Sequence, residues 1–140
     1  MSRPDIATLA VGDVVGARTV TFDRAALVRY AGASGDFNPI HWNDKVAEGA
    51  GLPGVIAHGM LTMGTVVSLV TEWAGDPGAV VDYQTRFTKP VEVPNPGAAS
   101  IEVTATVAKI DTEAGTVRVD LAVTVDGDKV LGRTQALVRL

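Results

Sequence analysis

Hydrophobic and polar positions along the chain change period more than once. Val14 to Val20 has the short apolar run of a strand. Asp23 stands where a helix N-cap belongs, with Phe22 before it and Leu27 after it placed as a hydrophobic staple. Ala26, Leu27, Tyr30 and Ala31 recur at helical spacing, and Gly32 and Gly35 end the run. Residues 1–13 read as an extended arm closing in a turn at Val11-Gly12-Asp13. From Ser34 to Asn43 neither period holds. Pro39 fixes its own φ and presses Asn38 towards extended geometry, so this stretch reads as a stiff loop. Asn43 caps a short helix through Glu48, and a glycine-rich connection follows from Gly49 to Gly54.

His58 to Trp73 is apolar around most of a helical circumference, through Met60, Leu61, Met63, Val66, Val67, Leu69, Val70 and Trp73. Its polar members, Thr62, Thr65, Ser68 and Thr71, are small. Such a helix belongs inside a protein, and Gly75 and Pro77 stop it. From Ala79 onward the period is two. Val81 to Thr88, Ile101 to Val107, Val117 to Val125 and Val130 to Leu140 read as strands, with a hairpin at Asp126-Gly127. Pro90, Pro94 and Pro96 mark a longer loop. The expected fold is α+β: four strands in an antiparallel meander, curved around the long helix in the hotdog arrangement. Exposed sheet edges predict pairing with a second copy.

Composition narrows the class. At 140 residues, 1–140 is expected to be a single domain. Hydrophobic residues make up 46% and charged residues 20%, too apolar for disorder. Sixteen acidic residues against 12 basic ones leave a net charge of −4, so no nucleic-acid partner is expected. A mean hydropathy of +0.22 is high, yet no run has the length of a membrane span, so no membrane partner is expected and the surplus goes to a core or an interface. The lack of cysteine excludes disulfides, thiolate metal sites and cysteine nucleophiles. The early Pro4 and Asp5 do not fit a signal segment, and the expected compartment is cytoplasmic.

The only histidines are His41 and His58. His41 shares the stiff loop with Asp36, and a carboxylate and an imidazole there can converge on one water for general acid–base catalysis. Spacing alone rather favours Asp36 capping a turn and His41 packing beneath the sheet, since polar loop residues most often make local turns. Gly59 opens the buried helix, where free N–H groups and a partial positive charge can stabilise an enolate-like oxygen; glycine there can equally relieve crowding. Gly49 to Gly54 matches a dinucleotide fingerprint formally, but no strand precedes it and Pro53 lies inside it. Asp36, His41 and His58 lack metal-ligand spacing, no serine-hydrolase elbow is present, and the methionines of the helix read as core.

Ser34 to His41, followed by Ile56 to Leu61, resembles the paired signature of MaoC-like hydratases and dehydratases, which include the (R)-specific enoyl-CoA hydratases. Ala57 to Gly64 and Trp73 to Val80 resemble the HadB-type subunit of (3R)-hydroxyacyl-ACP dehydratases. The resemblance covers nearly the whole chain. It implies a hotdog fold and reversible hydration of trans-2-enoyl thioesters to (3R)-hydroxyacyl thioesters. Asp36 and His41 are then the catalytic pair, Asn38 braces their loop, and the Gly59 N–H binds the thioester carbonyl. Ser34, His58 and Thr62 are implied as supporting or substrate-binding residues, as is Asn38. Val67 stands where some members carry a serine, with Ser68 adjacent. No metal or redox cofactor is implied; the pantetheine of CoA or acyl carrier protein is part of the substrate. The acyl chain is expected between the central helix and a partner subunit, or over Leu52 to Ile56. That partner is a second copy or a paralogous hotdog subunit. A hotdog thioesterase and a non-catalytic partner subunit are the rival readings.

Overall fold

The computed structural model describes residues 2–140. Strand β1 (Val14–Phe22) leads into helix α1 (Arg24–Ser34). Asp23 caps α1 as expected, accepting from the Ala26 N–H at 2.8 Å, and Phe22 and Leu27 both enter the core. Gly32 does not end the helix. Only Gly35, left-handed at φ 76°, closes it, because a glycine in helical geometry weakens a helix whereas a positive φ terminates it. The loop that follows contains a 3-10 turn, Pro39–His41, too short to show a period. Helix α2 (Asp44–Gly49) is capped by Asn43, and helix α3 (Gly59–Ala74) ends at a left-handed Gly75. Strands β2 (Val80–Phe87), β3 (Ala99–Asp111), β4 (Thr116–Val125) and β5 (Asp128–Arg139) complete the chain.

All pairings are antiparallel and the sheet order is β1-β3-β4-β5-β2. This corrects the expected four-strand meander. Only β3, β4 and β5 follow one another; β2 pairs with β5 at one edge, and β1 lies beside β3 at the other. The reason lies in residues 88–98. Their prolines oppose a tight hairpin, and Val91 and Val93 are buried instead. There the Ala57 N–H donates to the Val91 carbonyl and the Val93 N–H to the Val55 carbonyl. The connection therefore crosses to the segment before α3. The β4–β5 turn forms as expected, with Asp126 at φ 50° and Gly127 at φ 83°.

Helix α3 touches all five strands. Its Val66, Leu69, Val70 and Ala74 share one buried cluster with Ile101, Val103, Val119 and Val138 from the sheet. Burying each of the larger aliphatic side chains contributes about 1.5–3 kcal/mol. Only one face of the helix is covered: Met60 remains 60% exposed, because a single sheet shields a single side. No helix among the described residues is long and apolar enough to cross a membrane.

Candidate active site

Two segments meet at the start of α3: the loop of residues 34–43 and residues 55–58. Short polar side chains shape the loop locally. The Ser34 hydroxyl accepts from the Asp36 N–H at 3.1 Å, Asp36 Oδ1 from the Asn38 N–H at 3.1 Å, and Asn38 Oδ1 from the Ile40 N–H at 3.2 Å. The Trp42 indole donates to the Phe37 carbonyl at 2.9 Å. Three bonds then tie the loop to the lead-in of α3. The Ile56 N–H donates to the Ile40 carbonyl at 3.2 Å, His41 Nδ1 to the Ile56 carbonyl at 2.7 Å, and His58 Nε2 to the Asp36 carbonyl at 3.1 Å. Arg24 buttresses the same region, bonding Asp44 at 2.8 Å and the Val93 carbonyl at 2.7 Å.

A carbonyl only accepts, so His41 carries a hydrogen on Nδ1, and in its neutral form the lone pair is on Nε2. That Nε2 stands 4.0 Å from Asp36 Oδ2. One carboxylate oxygen of Asp36 caps a turn while the other faces His41. His41 is packed, at 8% exposed, and still directs Nε2 at the acid.

His58 is 1% exposed. Its ring stacks on His41 at 3.9 Å between centroids and 23° between planes, and Tyr30 meets it edge-on at 4.7 Å. Its Nδ1 has no partner among the described residues. Burial pushes the His58 pKa below its ordinary value near 6.5; the neighbouring His41 adds to this, while the bond to the Asp36 carbonyl and the Asp36 charge oppose it. One donor atom from each of Asp36, His41 and His58 lies within 4.8 Å of the others. Two imidazoles stacked this closely hold their lone pairs in nearly parallel planes, whereas a metal site needs lone pairs that converge.

Gly59 is the first residue of α3, and no side chain caps that end. Among the described residues, neither the Gly59 nor the Met60 N–H has a hydrogen-bond acceptor. These free N–H groups sit at the positive end of the helix dipole. Gly59 lines a cavity of about 370 Å³ together with His41, Thr62, Leu52, Ile56 and Phe87, at the small end of ligand pockets, about 300–1,000 Å³. A Cβ at position 59 would lie 2.9 Å from the Phe87 ring, so glycine is what lets that ring cover the helix end.

Of the residues singled out in the sequence, Asp36, His41 and His58 converge, and Gly59 and Thr62 share the cavity with His41. Ser34 and Asn38 bond loop backbone and do not line that cavity. Val67 and Ser68 do not line it either. Sequence reading missed Phe87, Lys89, Val91, Val130 and Leu131, which close the cavity from the end of β2, its following loop and β5. The one signal was Phe87, an aromatic on the apolar phase of β2 that is nonetheless 56% exposed.

Comparison with known proteins follows the same lines. The family model for the MaoC-like domain matches residues 7–125. The 3-hydroxyacyl-thioester dehydratase X of Mycobacterium tuberculosis is 47% identical over 70 residues, 50% of this chain and 24% of that protein. The 3-hydroxybutyryl-CoA dehydratase of Methylorubrum extorquens is 32% identical over 115 residues, 81% of this chain and 70% of that protein. A solved structure described as a MaoC-like dehydratase superposes with a TM-score of 0.95 at 39% identity, covering 99% of this chain and 42% of that one. The chain thus spans well under two thirds of the mycobacterial relative, and 59% of an (R)-specific enoyl-CoA hydratase of Rhodospirillum rubrum. By fold and by sequence, the chain belongs to the MaoC-like domain family.

Proposed function

We propose that the chain interconverts trans-2-enoyl thioesters and (3R)-hydroxyacyl thioesters by adding or removing water. The observation that carries this reading is the 4.0 Å separation of Asp36 Oδ2 and His41 Nε2, with His41 lining the cavity that Gly59 also lines. A gap of that length is too wide for a direct hydrogen bond and suits a bridging water. Both atoms accept, so such a water donates a hydrogen to each and turns its lone pairs outward. In hydration that oxygen bonds to the β-carbon, one hydrogen passes to the pair, and a proton is returned to the α-carbon. Meanwhile the carbonyl becomes enolate-like, and the Gly59 N–H stabilises its oxygen. Dehydration is the reverse. Asp36 and His41 act as the acid–base pair, while Asn38, Ser34, His58 and Thr62 support them.

The names of the relatives favour an acyl thioester on CoA or on acyl carrier protein. The apolar lining from Leu52, Ile56, Val91 and Leu131 suits its acyl chain. Proton transfer and carbonyl polarisation account for this reaction without a metal or redox group. Phe37, Trp42, Met60 and Phe87 stay exposed beside the site and favour a second hotdog subunit there, in a homodimer or a heterodimer. The reading takes residues 1–140 as one such domain and places it in the cytoplasm.

Incubating the purified chain with crotonyl-CoA tests the reaction class. Loss of the enone absorbance without release of thiol supports hydration. Release of free thiol supports a thioesterase, and no change in either supports a non-catalytic subunit.

A further inference from the structure

Asp36 is half-exposed, and most of its bonds stay within its own loop. Among the described residues, the single hydrogen bond between Asp36 and a residue beyond that loop is donated by His58 Nε2 to its carbonyl. His58 also supplies the flat surface on which the His41 ring lies. We infer that His58 is a positioning residue for the pair: its Nε2–H holds the Asp36 carbonyl while its ring face backs His41, so one buried side chain sets the gap across which the two act. This rests on reading Asp36 and His41 as the acid–base pair and adds a member that touches no substrate.

The chemistry of the ring follows from its surroundings. A carbonyl opposite Nε2 requires a hydrogen there. Nδ1 is buried without a partner, so protonating it would bury an N–H with no acceptor. The titratable groups around the ring are Asp36 from the loop, His41 from the 3-10 turn and Tyr30 from α1, and none of them bonds Nδ1. The ring therefore stays uncharged. An uncharged aromatic face can support His41 when His41 takes a proton, where a cation would repel it.

The test uses the 140-residue chain labelled with ¹⁵N. It holds two histidines, so His58→Phe assigns both imidazole signals. The expected result is an Nε2–H tautomer for His58 that stays uncharged as the pH is lowered from about 7.5 to about 5.5, across the ordinary imidazole range. His58→Phe keeps a ring on His41 and loses the donor, whereas His58→Gln keeps a donor and loses the ring. Each is expected to lower kcat by about 10–100-fold with KM nearly unchanged, the signature of misplacement rather than lost binding. An Nδ1–H tautomer, a charged His58 at neutral pH, or wild-type kcat in both variants would overturn the inference. If His58→Phe does not fold, the wild-type tautomer and His58→Gln still decide it. A wild-type chain inactive on enoyl thioesters would instead sink the acid–base reading, and the tautomer would still decide the brace.

Discussion

The β3–β5 meander and the loop of residues 34–43 are held by different forces. In the meander, residues alternate between core and surface, and Ile101, Val103, Val119, Val123 and Val138 are almost fully buried. Its strands are locked by long antiparallel pairings, interrupted by register shifts after Val107 in β3 and beside Val123 in β4. The loop is mostly exposed and is shaped by Ser34, Asp36 and Asn38, each bonding backbone two residues along. Stability is concentrated where apolar area is buried. Reactivity is concentrated where a few polar bonds aim two side chains. Substitutions in the two regions should therefore separate stability from turnover.

The largest effect is expected from Ile101→Ala, which empties a fully buried site and should lower the unfolding free energy by about 2–5 kcal/mol. Urea unfolding measures it, and turnover per folded molecule should not change. A tenfold fall in that turnover would break the separation. Asp36→Asn should do the opposite. Its amide oxygen can still accept from the Asn38 N–H, so the melting temperature should hold while turnover falls at least about 100-fold, or about 2.7 kcal/mol of barrier. His41→Ala should lose turnover to a similar degree. Near-normal rates in either variant would remove that residue from the mechanism. Gly127→Ala places a Cβ at φ 83° in the β4–β5 turn and should cost about 1–2 kcal/mol of stability with activity intact.

The smallest effect is a pH step. Because burial holds the His58 pKa down, the unfolded chain gains a proton that the folded chain refuses once the pH falls below about 6.5. Stability is full above that value and should begin to decline below it. Asp44, Glu72 and Asp128 are held below the usual carboxylate range by hydrogen bonds from Arg24, Arg18 and Lys89, so their contributions are lost only at lower pH. Thermal melts between about pH 5 and 7.5 should show the early step in wild type and not in His58→Phe. A step that survives in that variant would place its origin elsewhere.

Much of the local structure was readable beforehand. Asp23 and Asn43 cap the helices they precede, Asp126-Gly127 turns the hairpin, and Asp36 faces His41 from the same loop. Gly32 misled because helical spacing does not show whether a glycine adopts a positive φ. The strand order misled because alternation identifies strands and is silent about their neighbours. Phe87 and Leu131 were missed because their strands reach the cavity only when β2 joins β5.

Caps, turns, periods and the company of Asp36 and His41 on one loop are properties of residues a few positions apart, and the amino-acid order settles those by itself. The edge position of β2, the stack of His58 on His41, its bond to the Asp36 carbonyl and the cavity beside Gly59 join residues remote along the chain. Only the packing of α3 into the curved sheet decides them, because burial and distance between such residues exist only once the chain has closed on itself.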